Sequence, residues 1–190
     1  MTDILIRECT SADIEKVMEL DRDWAAEDST YGYVAESAEG FADRLGTYFL
    51  VTEVQDSIVG FAYGSVRVSE GMAVLPAGQT YFEVDAIYVT TEYRNSGIGG
   101  MLLNGLLEAA RHNGIERSLI YSATKDLDRI LRFYRRHGFK ELVCTDVPLE
   151  CNLLFLEKLL RLLTKTSTAT GTKTDVCLHS KPTIQGHVHP

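Results

Sequence analysis

Residues 4–9 alternate apolar and polar side chains in the manner of a strand. Ser11 then reads as the N-cap of a helix with Ile14, Val17, Met18 and Trp24 on one face. The acidic and aromatic run DRDWAAEDSTYGY (21–33) reads as a helix end and loop, and a second short helix is expected over 36–46. Strands are expected over 47–54 and 57–68, joined as a hairpin at Gln55-Asp56. After a loop (69–79), YFEVDAIYV (81–89) forms a third strand of that sheet. From about 97 to 113 the apolar or small residues fall at 98, 101, 102, 105, 106, 109 and 110, which is one helical stripe. A strand over 117–123 follows. Next comes a helix over 126–137 with Leu127, Ile130, Leu131 and Tyr134 on one face, stopped by Gly138. Strands over 139–145 and 152–157 complete the order βα(α)βββαβαββ, a mixed α/β domain without internal repeat.

From Thr164 the pattern disappears. TKTSTATGTKT is dominated by Ser and Thr, so residues 1–163 are expected to form the domain and 164–190 a disordered tail. The length of 190 residues suits one domain, and 45% apolar with 24% charged residues is ordinary for a soluble protein. A net charge of −8 argues against a nonspecific nucleic-acid binder. No run approaches the roughly 18 apolar residues of a membrane helix, and MTDILIRECT is strand-like and unlike a signal peptide. Cys9, Cys144, Cys151 and Cys177 are scattered and read as reduced thiols in a cytoplasmic protein, with no metal site expected.

The one stretch of unusual chemistry is RNSGIGG (94–100), between a strand and a helix. A dinucleotide fingerprint would need glycine at Leu102. A P-loop would need Lys and Ser or Thr after Gly100, where Met101 and Leu102 stand. What remains, R-x-x-G-x-G-G, fits either a tight turn using glycine for positive φ or an anion site built from backbone N–H groups at a helix N-terminus.

The stretch FEVDAIYVTTEYRNSGIGG (82–100) resembles the Gcn5-related N-acetyltransferase superfamily, whose signature matches at Arg94, Gly97 and Gly99. FYRRHGF (133–139) resembles that family's aromatic-Tyr-x-x-x-Gly-Phe block, and the element order fits from about residue 3 to 157. The resemblance implies a mixed central sheet of about seven strands, splayed between the 81–89 and 117–123 strands and flanked by helices. It implies acetyl-CoA as co-substrate. The backbone of Asn95, Ser96, Gly97, Ile98, Gly99 and Gly100 would hold the diphosphate, with Arg94 adding its N–H or charge. Ile87, Tyr88 and Val89 would pair with the pantetheine arm.

The reaction so implied is acetyl transfer to a primary amine. An amine with pKa ~10.4 is presented neutral at pH 7 at a cost of about 4–5 kcal/mol, so a carboxylate is needed to take its proton. Glu83 stands at the family's usual offset for that base, with Asp85 on the same strand face by period two. Tyr134 matches the tyrosine that protonates the leaving thiolate. The other reading of Tyr134 is a packed core aromatic, and of the two carboxylates a solvent-facing pair. A catalytically silent acyl-CoA sensor is the alternative function.

The chain departs from the family at Leu127, where an asparagine is common; Lys125 or Arg132 is the expected substitute. LLFLEKLLRLLTK (153–165) runs past the usual end of the fold and suggests a short helix, at a homodimer interface or packed on its own domain. The acceptor is a small-molecule or protein amine. Asp21, Asp23, Glu27 and Asp28 with Trp24, Tyr31 and Tyr33 form either a cleft for a cationic, partly apolar amine or a solvated acidic loop.

Overall fold

The computed structural model describes residues 3–27, 33–72, 74–123, 127–142 and 153–160. Their strands form one seven-stranded mixed sheet. β1 (Ile4–Glu8), β2 (Phe49–Val54), β3 (Ser57–Val68) and β4 (Thr80–Val89) are successive antiparallel neighbours. β5 (Arg117–Ala123) lies parallel to β4, and β7 (Leu153–Leu159) is inserted antiparallel between β5 and the edge strand β6 (Lys140–Leu142). The β2–β3 hairpin turns through Gln55 (φ 50°) and Asp56 (φ 60°), the paired left-handed residues that match strand twist.

Helices cover both faces. α1 (Ile14–Ala25) and α2 (Ala38–Asp43) bury Val17, Leu20 and Phe41 against Phe49, Val51, Phe61, Tyr63, Ala86 and Tyr88. α3 (Ile98–His112) buries Ile98, Leu102, Leu103, Leu106, Leu107 and Ala110 against Leu50, Val54, Ala62, Phe82 and Val84. α4 (Leu127–Arg136) joins that second core through Tyr134, Ile130, Leu131 and Phe133. The buried face of α3 is rotated from the expected stripe. Leu103 and Leu107 are inside, whereas Met101 is 42% exposed.

Several boundaries differ from the sequence reading. Ser11 opens a 3-10 turn (Ser11–Asp13), and the cap is Thr10, whose N–H and hydroxyl both donate to Asp13 Oδ2 (2.8 and 2.7 Å). Residues 153–159 are strand β7, so the helix suggested for 153–165 does not exist there; the long side of β5 needs a partner, and an apolar strand satisfies its backbone. The tail 164–190 and Cys144, Cys151 and Cys177 lie outside the described residues. Cys9 is a free, buried thiol, pushed up to about 12 by that burial. No helix among the described residues is long and apolar enough to cross a membrane.

Strand β4 is irregular in two places. Val84 pairs with Gly64 and Ala86 with Tyr63, so Asp85 is an extra residue, a bulge. The bulge shifts the alternation. Phe82 and Val84 face α3 before it, and Ile87 and Val89 face α3 after it. The second irregularity is on the other edge. β4 and β5 pair only at Phe82–Ser118 and Glu83–Leu119 and then part. The edge of β4 from Val84 to Val89 is therefore left without a strand neighbour on that side among the described residues.

Candidate active site

The segment after β4 turns through two left-handed residues into the N-terminus of α3. A 3-10 turn (Thr91–Tyr93) leads into extended Arg94. Asn95 (φ 63°) and Gly97 (φ 91°) are both left-handed, and Gly97 is the N-cap of α3. The first bond of the helix runs from the Met101 N–H to the Gly97 carbonyl at 3.1 Å. The N–H groups of Ile98, Gly99 and Gly100 ahead of it have no partner within the helix, and the helix dipole adds positive potential there.

The three glycines serve different ends. A Cβ on Gly97 would meet nothing within 4 Å, so its backbone φ selects glycine. Gly99 and Gly100 have no positive φ, so of the three only Gly97 uses the left-handed freedom of glycine. A Cβ on Gly99 would touch Phe133 at 3.7 Å and Val89 at 3.9 Å. On Gly100 it would stand 2.6 Å from the His137 ring, so this glycine lets the end of α4 approach α3.

The loop opens on a cavity of about 740 Å³. Ile87, Tyr88, Val89, Arg94, Asn95, Gly97, Gly99 and Gly100 line it, and Tyr134 lines it from α4. Ser96 and Ile98 do not. Ser96 turns its hydroxyl onto the Tyr93 carbonyl (2.5 Å), and the Ile98 side chain is in the core, leaving only their backbones toward the loop.

Tyr134 is 8% exposed, edge-on to Phe133 and Phe139 with ring centroids at 5.0 and 5.5 Å. Its hydroxyl makes no hydrogen bond to a described residue, and burial holds the phenol well above the ordinary tyrosine value. Glu83 is not at the cavity wall. It is 3% exposed on the α1–α2 face of the sheet, where Arg67 Nε reaches Oε2 at 2.5 Å and the Tyr81 hydroxyl donates to the same oxygen at 3.4 Å. Asp85 is its neighbour through Arg67 (3.5 Å), also takes a bond from the Ser65 hydroxyl (3.0 Å), and stands 3.9 Å from Arg44.

Residues 5–139 match the Acetyltransferase (GNAT) family. The chain belongs to that family. Membership makes it an acetyltransferase with acetyl-CoA as co-substrate. No curated protein matches its sequence. Among solved structures it is similar to the ribosomal-protein-alanine N-acetyltransferase of Brucella melitensis, at 24% identity and TM-score 0.62 over 82% of this chain and 99% of that one. It is similar to yncA of Salmonella typhimurium, solved with its cofactor acetyl-CoA (20%, TM-score 0.63, 83% and 94%). It is also similar to N-acetylglutamate synthase of Neisseria gonorrhoeae, complexed with coenzyme A and N-acetyl-glutamate (18%, TM-score 0.65, 85% and 36%). At these identities the likeness establishes the shared fold.

The residues present fit acetyl-CoA. The helix N-terminus with its free N–H groups suits a diphosphate, and the parting of β4 from β5 leaves a strand edge for an extended amide-bearing arm. Arg94 is arranged differently from the sequence expectation. Its N–H bonds the Thr91 carbonyl (3.3 Å), so it is not a free donor to the loop. Its guanidinium donates to the Val89 carbonyl (2.9 Å) and pairs with Glu27. Arg132 does not line the cavity, whereas Arg129 and Arg136 from the same helix do, with Phe133 and His137. Sequence reasoning missed this face because residues 129, 133, 136 and 137 form a stripe beside the apolar one, legible only when α4 is set against α3. Of the acidic acceptor group, Asp21 is fully buried and accepts from the Tyr33 hydroxyl and the Glu36 N–H, both at 2.7 Å, so it is structural. Trp24 and Glu27 do line the cavity.

Proposed function

We propose that this acetyltransferase transfers the acetyl group to a primary amine by direct attack, with Tyr134 as general acid and Glu83 as general base. The observation that carries the reading is one cavity lined by the glycine loop at the N-terminus of α3, the free edge of β4 and the Tyr134 ring, whose hydroxyl is uncommitted among the described residues. Acetyl-CoA supplies an activated acyl group and a thiolate leaving group. The chain orients the reactants and moves two protons.

Tyr134 gives its proton to the departing sulfur. Burial keeps the phenol protonated at neutral pH, so it carries a proton to give, but a thiol near its ordinary value of about 8.5 is the stronger acid and the transfer is uphill. N–H groups along the unpaired edge from Ile87 to Val89 can bond to the acyl oxygen as it gains charge. Glu83 takes the proton of the amine. Because it is buried outside the cavity lining, that proton travels through a water, and Asp85, at the same bulge, is the second candidate.

Coenzyme A release followed with a thiol-reactive chromogen, against a panel running from simple monoamines and amino acids to peptide N-termini, tests the reading. Turnover with at least one class supports it. Tight CoA binding with no acetylation across the panel would favour a silent acyl-CoA sensor.

A further inference from the structure

The Arg94 guanidinium occupies a built cation site. Its Nε–H donates to the Val89 carbonyl at 2.9 Å, its terminal nitrogen pairs with the Glu27 carboxylate, and its Cζ lies 5.5 Å from the centroid of the Tyr88 ring. A carboxylate, a carbonyl oxygen and an aromatic face are three sources of negative potential converging on one point. Trp24, one helical turn before Glu27, stacks on Tyr88 at 5.7 Å and extends this wall with apolar surface. Trp24, Glu27, Tyr88, Val89 and Arg94 all face the same cavity. Glu27 and Arg94 are both partly open to it, with side chains 23% and 26% exposed.

Arg94 also immediately precedes the loop whose N–H groups suit a diphosphate. A guanidinium is fitted to bidentate phosphate contacts, and a diphosphate carries more charge than one carboxylate. Resting on the reading that this loop holds the diphosphate of acetyl-CoA, we propose that Glu27 receives a second, non-reacting cationic group of the acceptor, and that Arg94 holds this place until the bound diphosphate draws it away. The acceptor class is then a short-chain diamine or similar dication, its free end between Glu27, the Tyr88 ring and the Val89 carbonyl, its chain along Trp24. A monoamine lacks the group that would use Glu27.

Trp24 is the only tryptophan of the chain, so its fluorescence reports this wall alone. The full chain is titrated with CoA, with 1,4-diaminobutane and with butylamine, the amines both with and without saturating CoA. We expect CoA to tighten diaminobutane binding about tenfold or more, within the usual range of coupling between sites, and to leave butylamine nearly unchanged. Glu27→Gln should erase the preference for the diamine. Arg94→Gln should let the diamine bind as well without CoA as with it. Diaminobutane binding no better than butylamine, binding not at all, or keeping its CoA coupling in Glu27→Gln would overturn the proposal. CoA titrated alone separates the two layers. If CoA fails to bind, the cofactor reading and this proposal fall together; if CoA binds but the amines behave alike, only the proposal falls.

Discussion

Replacing Tyr134 by Phe removes one oxygen and nothing else from the cavity wall. The Tyr134 hydroxyl has no hydrogen-bond partner among the described residues, so the substitution leaves no orphaned group, and the ring keeps its contacts with Phe133 and Phe139. Melting temperature and CoA affinity should therefore stay close to wild type. The proton donor is gone, and kcat should fall by roughly 10²–10⁴. Tyr134→Ala is the contrasting change. It empties a ring-sized volume in the α3 core, which costs about 3–5 kcal/mol. At about 2–4 °C per kcal/mol for a chain of this size, melting should drop by roughly 6–20 °C. The pH dependence adds a check. Burial raises the phenol, so it keeps its proton as pH rises past the ordinary tyrosine value of about 10. Tyr134 should give kcat no basic limb below that pH. The assay is initial-rate thiol release from acetyl-CoA with a saturating acceptor, beside thermal melting of both variants. Wild-type turnover in a folded Tyr134→Phe protein would refute the general-acid role and return Tyr134 to a packing aromatic.

Three further outcomes are expected. Gly97→Val places a β-branched residue at φ 91°, where glycine alone is comfortable, so it should reshape the N-terminus of α3 and weaken CoA binding at least tenfold by calorimetry; unchanged affinity would show that the loop does not carry the diphosphate. Glu83→Gln should lower kcat/KM most at pH 6–7 and progressively less toward pH 10, because the amine then supplies its own neutral form; a pH-independent loss would assign Glu83 a packing role with Arg67. Asp13 is bonded by Arg7 at 2.7 and 2.9 Å and by Thr10, and the Arg7 guanidinium holds its carboxyl well below the usual carboxylate range. That stability is present above the unfolded value of about 3.9 and is lost as pH falls through the lowered folded value. With a third of Arg7 open to solvent, the contribution is discounted to about 1–2 kcal/mol. Asp13→Asn should melt a few degrees lower at pH 7, by calorimetry, and should lose less than wild type below pH 4; identical acid profiles would contradict the assignment.

The strands and helices were legible because their alternation and helical spacing are local. Arg117–Ala123 matches its expected span residue for residue, and the helix after the glycine loop begins one residue from its expected start. The turn into α3 was legible for the same reason, since Gly97 and the absence of a capping side chain are properties of consecutive residues. Strand β7 was harder. The sequence supported both a strand over 152–157 and a short helix over 153–165, and pairing with the open edge of β5 selects the strand. The Asp85 bulge could not be read either. Strict alternation puts Glu83 and Ile87 on one face, whereas the extra residue sends Glu83 to the α1–α2 side and leaves Ile87 against α3. The charges divide in the same way. Asp21, Asp23 and Glu27 look alike in DRDWAAE, yet Asp21 is consumed by Tyr33 and Glu36, and Glu27 meets an arginine 67 residues away. Local sequence sets backbone preference, because the groups that decide it are covalently near. Which carboxylate reaches the cavity, and what it meets there, depends on side chains that only packing of distant elements brings within hydrogen-bond range.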